Sequence, residues 1–412
     1  MIYRKEYIDR IERAFKTVPI VTLIGARQVG KTSIMQMFKY PGKSIVMNGQ
    51  DADTAALFQH LSDIELYIKA NLNIEFEGLI FLDEFQFIDN ISTSLKLLTD
   101  KYSKLRFLCS GSSSLDILQK VKESLAGRVR IIEVLSLSFS EYLLFTDSGS
   151  YNTWLLLDQN TKHTALTKEI AKKLDEYLLF GGFPRAALIH NFDEKTEVLN
   201  DIYSTYLLKD VKSYIANSDF IGFNKLLRLL SSQIGNLINI NELSMNSGLS
   251  YRKTEEYIDL LEQMYIIKRI EPFKKNARKS ITKMKKVFFT DIGLRNIIER
   301  NFNEIAFRAD RGALFENYIL LELWRKKKSA EEIHFFRTNN GTEVDFVMTT
   351  LNSQLAIECK YKAFAKPVSI KALDIFAADE NIKDKYIFNK TLNVNHKGTK
   401  MIQGYLAAKI FD

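Results

Sequence analysis

Two groups of residues in this chain have the types and spacing to handle phosphate. The first is Gly25-Ala26-Arg27-Gln28-Val29-Gly30-Lys31-Thr32, followed by Ser33. Glycines at both ends of such a loop let the backbone curl around phosphate oxygens. The lysine would reach the β- and γ-phosphates, and the threonine hydroxyl would ligate Mg²⁺. Further on, Asp83 and Glu84 close the apolar run Leu79 to Leu82. Asp83 would hold the Mg²⁺ through water, and Glu84 would orient and polarise the attacking water, so hydrolysis of ATP is expected and not mere nucleotide holding. The second group lies near the other end: Asp345, then Glu358 and Lys360, with Glu316 upstream. Carboxylates at that separation suit a hard divalent cation such as Mg²⁺, which polarises a scissile phosphate and lowers the pKa of its water. Lys360 would position the nucleophile, and Glu316 would complete the metal shell.

Several elements must position the first group. Ile20 to Ile24 is a continuous apolar run, as in a buried parallel strand, and it ends at the first glycine. An amphipathic helix follows Thr32, with its free N–H groups toward the phosphates. The stretch Leu105 to Ser114 reads as a further strand. Ser110 at its tip would sense the γ-phosphate or the attacking water, with Ser112 as the alternate. Arg128 precedes the apolar run Val129 to Leu135. It would serve as a finger toward a neighbouring subunit's phosphate, which implies a homo-oligomer. The same arginine also fits a surface pair with an acid.

The set GARQVGKT, FLDEFQ, CSGSSS, SLAGR and LSFSEYL resembles the AAA-type ATPase domain of a large prokaryotic family similar to archaeal-type and initiator-like ATPases. LFGGFP, TYLLKDV and FFTDIGLR extend the resemblance along almost the whole chain. It implies an α/β chain in four parts. Residues 1–150 would be a P-loop AAA-type parallel-sheet ATPase domain and 151–220 a helical lid. Residues 221–298 would be a winged helix and 299–412 a restriction-endonuclease-like α/β domain. In the lid, Arg185 would sit over the nucleotide as a second sensor.

The winged helix is also readable from the residues. An amphipathic helix ends at Gly235, and helix, Gly248 turn, helix and strand follow, with Asn241 and Ser250 as N-caps. Leu243, Ile258, Leu261 and Met264 would form its inward seam. The wing, 268–286, carries Lys268, Arg269, Lys274, Lys275, Arg278, Lys279, Lys283, Lys285 and Lys286 against the single acid Glu271. Such a density would bind nucleic acid, DNA ahead of RNA, through its backbone. The presumed recognition helix carries Glu255, Glu256, Asp259 and Glu262, which a major groove would repel. A packing or protein-contact module fits the same pattern.

The last part places a helix from Leu314 to Trp324, a strand from Ile333 to Thr338, and a hairpin with Asp345 on one arm and Glu358-Cys359-Lys360 on the other. Alternation puts Glu358 and Lys360 on one face. The order resembles the PD-(D/E)xK nuclease core, with Val344 where proline is usual and Cys359 where valine is usual. Cross-strand ion pairs worth ~0.2–1 kcal/mol, on a scaffold that no longer cuts, fit the same residues.

The bulk numbers set outer bounds. A chain of 412 residues with 46% hydrophobic content and a formal charge of +8 suits several globular domains and permits a polyanionic partner. Two cysteines, Cys109 and Cys359, both in apolar runs, make no disulfide framework and suit a reducing cytoplasm. The start has no apolar segment behind its basic residues, so no signal peptide is expected. No run reaches the ~18 apolar residues of a membrane span.

Overall fold

The computed structural model describes residues 3–112, 124–161, 164–273, 284–338 and 341–410. Contacts gather the chain into two units. One is Met1–Leu135 with Gln263–Tyr265, and the other is Ser136–Glu262 with Ile266–Asp412.

The first unit is built on a five-stranded parallel sheet. Its strands are β1 (Ile20–Gly25), β2 (Ser44–Asn48), β3 (Gly78–Asp83), β4 (Leu105–Ser112) and β5 (Val129–Glu133), in the order β2-β3-β4-β1-β5. All six residues of β1 are buried, because helices cover both faces of a parallel sheet and leave no wet side. Ile20, Ile80, Leu82, Leu95, Leu98, Leu105 and Phe107 share one core. Burying each such side chain contributes roughly 1.5–3 kcal/mol. The register pairs Leu23 with Ser110 and Gly25 with Ser112, so the carboxyl ends of β1 and β4 are level. Helix α1 (Lys5–Phe15) precedes the sheet, α2 (Lys31–Met37) follows β1, and α3 (Ile91–Lys101) leads into β4.

The second unit opens with α4 (Phe139–Thr146), whose N-terminus is held by a capping box between Ser138 and Glu141. The long helix α5 (Ala165–Phe180) follows. Tyr177 on α5 donates its hydroxyl to Leu137 O at 2.7 Å, and the Trp154 indole donates to Tyr405 O at 2.7 Å. Arg325 donates to the carbonyls of Ser136 and Leu137 at 3.2 and 3.1 Å and pairs with Glu322 at 2.9 Å. The Trp154 and Arg325 bonds to Tyr405, Ser136 and Leu137 tie residues before 180 to residues beyond 320. That is why one unit stands where three separate parts were expected.

Three helices, α6 (Phe220–Ser232), α7 (Ile240–Ser247) and α8 (Tyr251–Gln263), precede the antiparallel pair β6 (Ile267–Ile270) and β7 (Lys286–Phe289). Leu243, Ile258, Leu261 and Met264 are buried. Ser250 accepts from Lys253 N, but the cap of α7 is Asn239, not Asn241, since Asn239 accepts from Asn241 N and Glu242 N. Gly248 adopts φ +78° to end α7. Helix α9 (Ile292–Glu299) and helix α10 (Arg311–Lys326) lead into a six-stranded mixed sheet. Its strands are β8 (Glu332–Arg337), β9 (Glu343–Thr349), β10 (Gln354–Cys359), β11 (Asp384–Asn389), β12 (Val394–His396) and β13 (Thr399–Gln403). Their order is β12-β13-β11-β10-β9-β8. Strands β8, β9 and β10 run antiparallel, and α11 (Lys371–Asp379) carries the chain from β10 to the parallel neighbour β11. Among the described residues no helix is long and apolar enough to cross a membrane.

Candidate functional sites

In the first unit the cradle forms at the carboxyl end of β1, where ligands of open parallel sheets bind. Gly25 has φ +153°, and a Cβ there would come within 2.1 Å of Val134 O, so only glycine fits. Gly30 has φ +94° and begins α2. Between them Gln28 also holds a left-handed conformation, φ +62°. Lys31 is buried and donates to the carbonyls of Gly25 and Ala26 at 3.0 and 2.7 Å, inside its own loop. Burial lowers its pKa to about 8, against the opposing pull of Glu84 and Asp83. The ammonium therefore lacks a full counter-charge, which a bound phosphate would supply.

Strand order brings the second half of the site to the same edge. Thr32 Oγ1 donates to Asp83 Oδ2 at 2.8 Å. Asp83 Oδ1 accepts from Glu84 N at 3.1 Å and from the Ser110 hydroxyl. A hydroxyl and a carboxylate in contact are the oxygen donors that Mg²⁺ prefers, so the pair fits that ion. Thr32 and Asp83 also line a cavity of about 760 Å³ with Gln36, Tyr40, Asn48 and Phe81. Glu84 sits at φ +50°, ψ +40°, a conformation that costs a non-glycine residue about 1–2 kcal/mol. The turn aims its carboxylate at the Gln86 amide, which holds it. Gln86 was not anticipated, and its place two residues after Glu84 is its only sequence signal.

Ser110 is fully buried and its hydroxyl is bound to Asp83, the acid expected to hold Mg²⁺, while Ser112 stands level with Gly25. Arg128 requires a correction. It precedes β5, and its carbonyl accepts from Ile20 N at 3.1 Å, which sets it at the amino end of the sheet, opposite the cradle. Its guanidinium is bidentate on Asp100 at 2.5 and 3.1 Å. Within its own chain it is the surface pair and does not reach the cradle. In the second unit, Arg185 is exposed and pairs with Asp201 at 3.4 Å.

The second unit does bring Asp345, Glu358 and Lys360 together. Ile357 on β10 faces Phe346 on β9, so the next step of the register sets Glu358 against Asp345. Asp345 Oδ2 accepts from Cys359 N at 2.7 Å, and Glu358 Oε1 binds the Lys360 ammonium. Glu316 reaches the same place from α10, but it is not free. Lys286, the first residue of β7, is 1% exposed and extends its ammonium between two acids. It lies 2.9 Å from Glu316 Oε1 and 2.7 Å from Glu343 Oε1. Arg337 takes the other Glu343 oxygen at 3.2 Å.

The electrostatics follow from burial. It opposes the charge on Lys286, but Glu316, Asp345 and Glu343 outweigh it and hold the ammonium charged, above the usual lysine range. Burial pushes Glu358 up to about 7, with the Asp345 charge adding to the shift and Lys360 opposing it. Burial likewise raises Asp345 and Glu316, with Lys286 opposing both. Glu358 Oε2 is buried without a hydrogen-bond partner. The Mg²⁺ expected at Glu316, Asp345 and Glu358 does not fit this arrangement, because Glu316 is already paired with Lys286, Glu358 with Lys360, and Asp345 accepts from Cys359 N. Among the described residues no three His, Cys, Asp or Glu side chains are disposed to hold a metal ion. Lys286 was anticipated only as a wing cation, and Glu343 was not anticipated at all.

The rest of the expected wing differs too. Arg269 pairs with Glu262 and Asp259, both at 2.6 Å, and Lys268 with Glu262 at 3.5 Å. Lys285 pairs with Glu271 at 2.8 Å. These cations neutralise local acids, including two of the acids on α8. Lys274, Lys275, Arg278, Lys279 and Lys283 lie outside the described residues.

Comparison with known proteins adds the following. Residues 17–143 match a family described as AAA domain. Residues 171–304 and 311–405 match two domains of unknown function, DUF8612 and DUF4143. The chain is 25% identical over 401 residues to the uncharacterized protein MJ1544 of Methanocaldococcus jannaschii, covering 95% of this chain and 86% of that one. It is 24% identical over 363 residues to the uncharacterized protein Rv2008c of Mycobacterium tuberculosis, covering 87% and 74%. It is also similar in structure to a Walker-type ATPase, PABY2304 of Pyrococcus abyssi, with a TM-score of 0.49 and 14% identity over 73% of this chain and 96% of that one. Residues 17–143 are thus similar in sequence to an AAA domain, and they carry the five-stranded parallel sheet and its glycine-bounded cradle.

Proposed function

We propose that the chain is a Mg²⁺-dependent ATPase that hydrolyses ATP in the first unit and contacts nucleic acid through the second. The observation that carries the first half is the Thr32–Asp83 contact at the mouth of a glycine-bounded loop. The loop from Gly25 to Ser33 would wrap the phosphates, with backbone N–H groups of Ala26, Arg27, Gln28 and Val29 facing them. Lys31 would turn from its two carbonyl partners to the β- and γ-phosphates. Thr32 and Asp83 would hold Mg²⁺, which neutralises charge on the transferred phosphoryl group when bound. Glu84, oriented by Gln86, would take the proton of the attacking water, and Ser110 would keep Asp83 in place. Titration calorimetry tests this directly. Wild type should bind Mg²⁺-ATP, and Lys31→Ala should lose the heat of binding while keeping its fold. Equal binding by both would refute the assignment.

The second half rests on residues 274–283, which carry five cations and no acid. The order of α10, β8, β9 and β10, with Glu316, Asp345 and Glu358 on the first, third and fourth, supports the PD-(D/E)xK resemblance. A scaffold that holds its partner and does not cut is the reading Lys286 favours.

A further inference from the structure

The carboxylate cluster of the second unit raises a question that the ATPase reading leaves open. Four acids, Glu316, Glu343, Asp345 and Glu358, converge in a largely buried place. Left alone they would repel one another and remain protonated, because isolated buried carboxylates cost too much to ionise. A nuclease solves this with a divalent cation. Here three side-chain cations are already at hand. Lys286 bridges Glu316 and Glu343, Lys360 binds Glu358, and Arg337 closes on Glu343. Three cations beside four acids, of which burial already raises Glu316, Asp345 and Glu358, leave little negative charge for a divalent ion to match.

Lys286 is the decisive member. It does not come from the sheet that carries the acids. It belongs to β7, where its backbone pairs with Ile270 and bridges to Leu237. Its chain neighbours Val287, Phe288 and Phe289 are buried apolar residues, so strand position alone gives no reason for a charge there. A lysine held at 1% exposure is costly unless its charge is matched, and among the described residues the acids paired with it are Glu316 and Glu343 of the cluster. The Phe335 ring, 5.5 Å from the ammonium, adds a cation–π contact.

We propose that Lys286 is the resident cation of this cluster. Its ammonium occupies the position that a divalent metal holds in a metal-dependent nuclease site. The wild-type chain therefore binds no divalent ion at Glu316, Asp345 and Glu358. Removing the ammonium leaves Glu316 without its cation while Lys360 and Arg337 stay on Glu358 and Glu343, and it opens the cluster to a divalent cation at Glu316 and the unpartnered Glu358 Oε2. The inference stands apart from ATP hydrolysis, which uses none of these residues.

The test is Mn²⁺ binding to the full-length chain without nucleotide, read by electron paramagnetic resonance. Each protein is compared with its own Glu358→Gln counterpart, which subtracts ion held at Thr32 and Asp83. Wild type should show no Glu358-dependent Mn²⁺ at millimolar concentration. Lys286→Met should gain one equivalent, and Mn²⁺ should raise its melting temperature more than that of its Glu358→Gln counterpart, a difference that wild type lacks. Because Lys286→Met leaves Glu316 unmatched and Glu343 with Arg337 alone, Lys286→Met with Glu343→Gln is the second variant. It removes one charge of each sign and keeps Glu316, Asp345 and Glu358. Glu358-dependent Mn²⁺ in wild type would overturn the proposal. So would a folded double variant that binds none. A failure of ATP binding would leave both outcomes readable, so the two readings fail separately.

Discussion

Lys31 offers a prediction whose size can be worked through. In the nucleotide-free chain burial holds its pKa at about 8, and only backbone carbonyls partner it. A triphosphate beside it would raise that pKa toward or beyond the ordinary lysine value of about 10.4. A group whose pKa rises on binding takes up a proton, so affinity is full below the free value and declines above it. About nine in ten Lys31 side chains are charged at pH 7 and about one in ten at pH 9, for a free pKa of about 8. Affinity for a non-hydrolysable Mg²⁺-ATP analogue should fall about tenfold across that interval, ~1.4 kcal/mol. Calorimetry at pH 8 in two buffers of different ionisation enthalpy should show uptake of about half a proton per nucleotide. Constant affinity from pH 7 to 9 with no buffer dependence of the heat would refute the reasoning, since Lys31 would then be charged throughout or remote from phosphate.

Other expectations concern stability and partners. Asp310 sits between the buried Arg295 and Arg308, so Asp310→Asn leaves two unmatched guanidiniums and should cost about 3–5 kcal/mol in a denaturant titration. Burial pushes Asp310 up, but the Arg308 hydrogen bonds and both guanidinium charges prevail and bring it from 3.8 to about 2. Its contribution is complete above pH 4 and lost as pH falls toward 2; because the group is part-exposed, we expect about 1–2 kcal/mol of acid sensitivity, absent in Asp310→Asn. Ser110→Ala removes one hydrogen bond to Asp83, worth about 0.5–1.5 kcal/mol, and should raise the Mg²⁺ concentration needed for half-maximal turnover several-fold. Charge reversal at Lys274, Lys275, Arg278 and Lys279 should weaken duplex DNA binding and flatten its salt dependence. Reversal at Lys268 and Arg269, whose acids already hold them, should lower thermal stability instead, and a filter-binding salt series beside a melting curve separates the two.

The cradle was legible because its logic is local. Apolar strand, glycine-bounded loop and helix follow one another within the stretch from Ile20 to Met37, and each residue's role depends on its chain neighbours. Asp83 was legible for the same reason, as the end of a buried strand. Arg128 carried two readings, and the surface pair with Asp100 is the one seen within this chain. In a parallel sheet, a residue that precedes a strand lies at the opposite end from one that follows it, so an arginine before β5 could not face a loop after β1. The carboxylates Asp345 and Glu358 were legible from hairpin alternation. Lys286 was not, because its partners Glu316 and Glu343 lie 30 and 57 residues further along, a pairing set by tertiary packing. Its one local sign was a charge opening the apolar run Val287 to Phe289. The wing cations failed similarly, since counting charges along the chain cannot show that Arg269 and Lys268 fold back on Glu262.

The central claim, that this chain turns over ATP with Glu84 as the base, meets its most direct test in steady-state phosphate release with Mg²⁺, comparing wild type with Glu84→Gln. The account predicts hydrolysis by wild type and a loss of about 10²–10⁴-fold in kcat for Glu84→Gln, with nucleotide affinity within about threefold. Turnover by Glu84→Gln at the wild-type rate, or none by well-folded wild type, would contradict it.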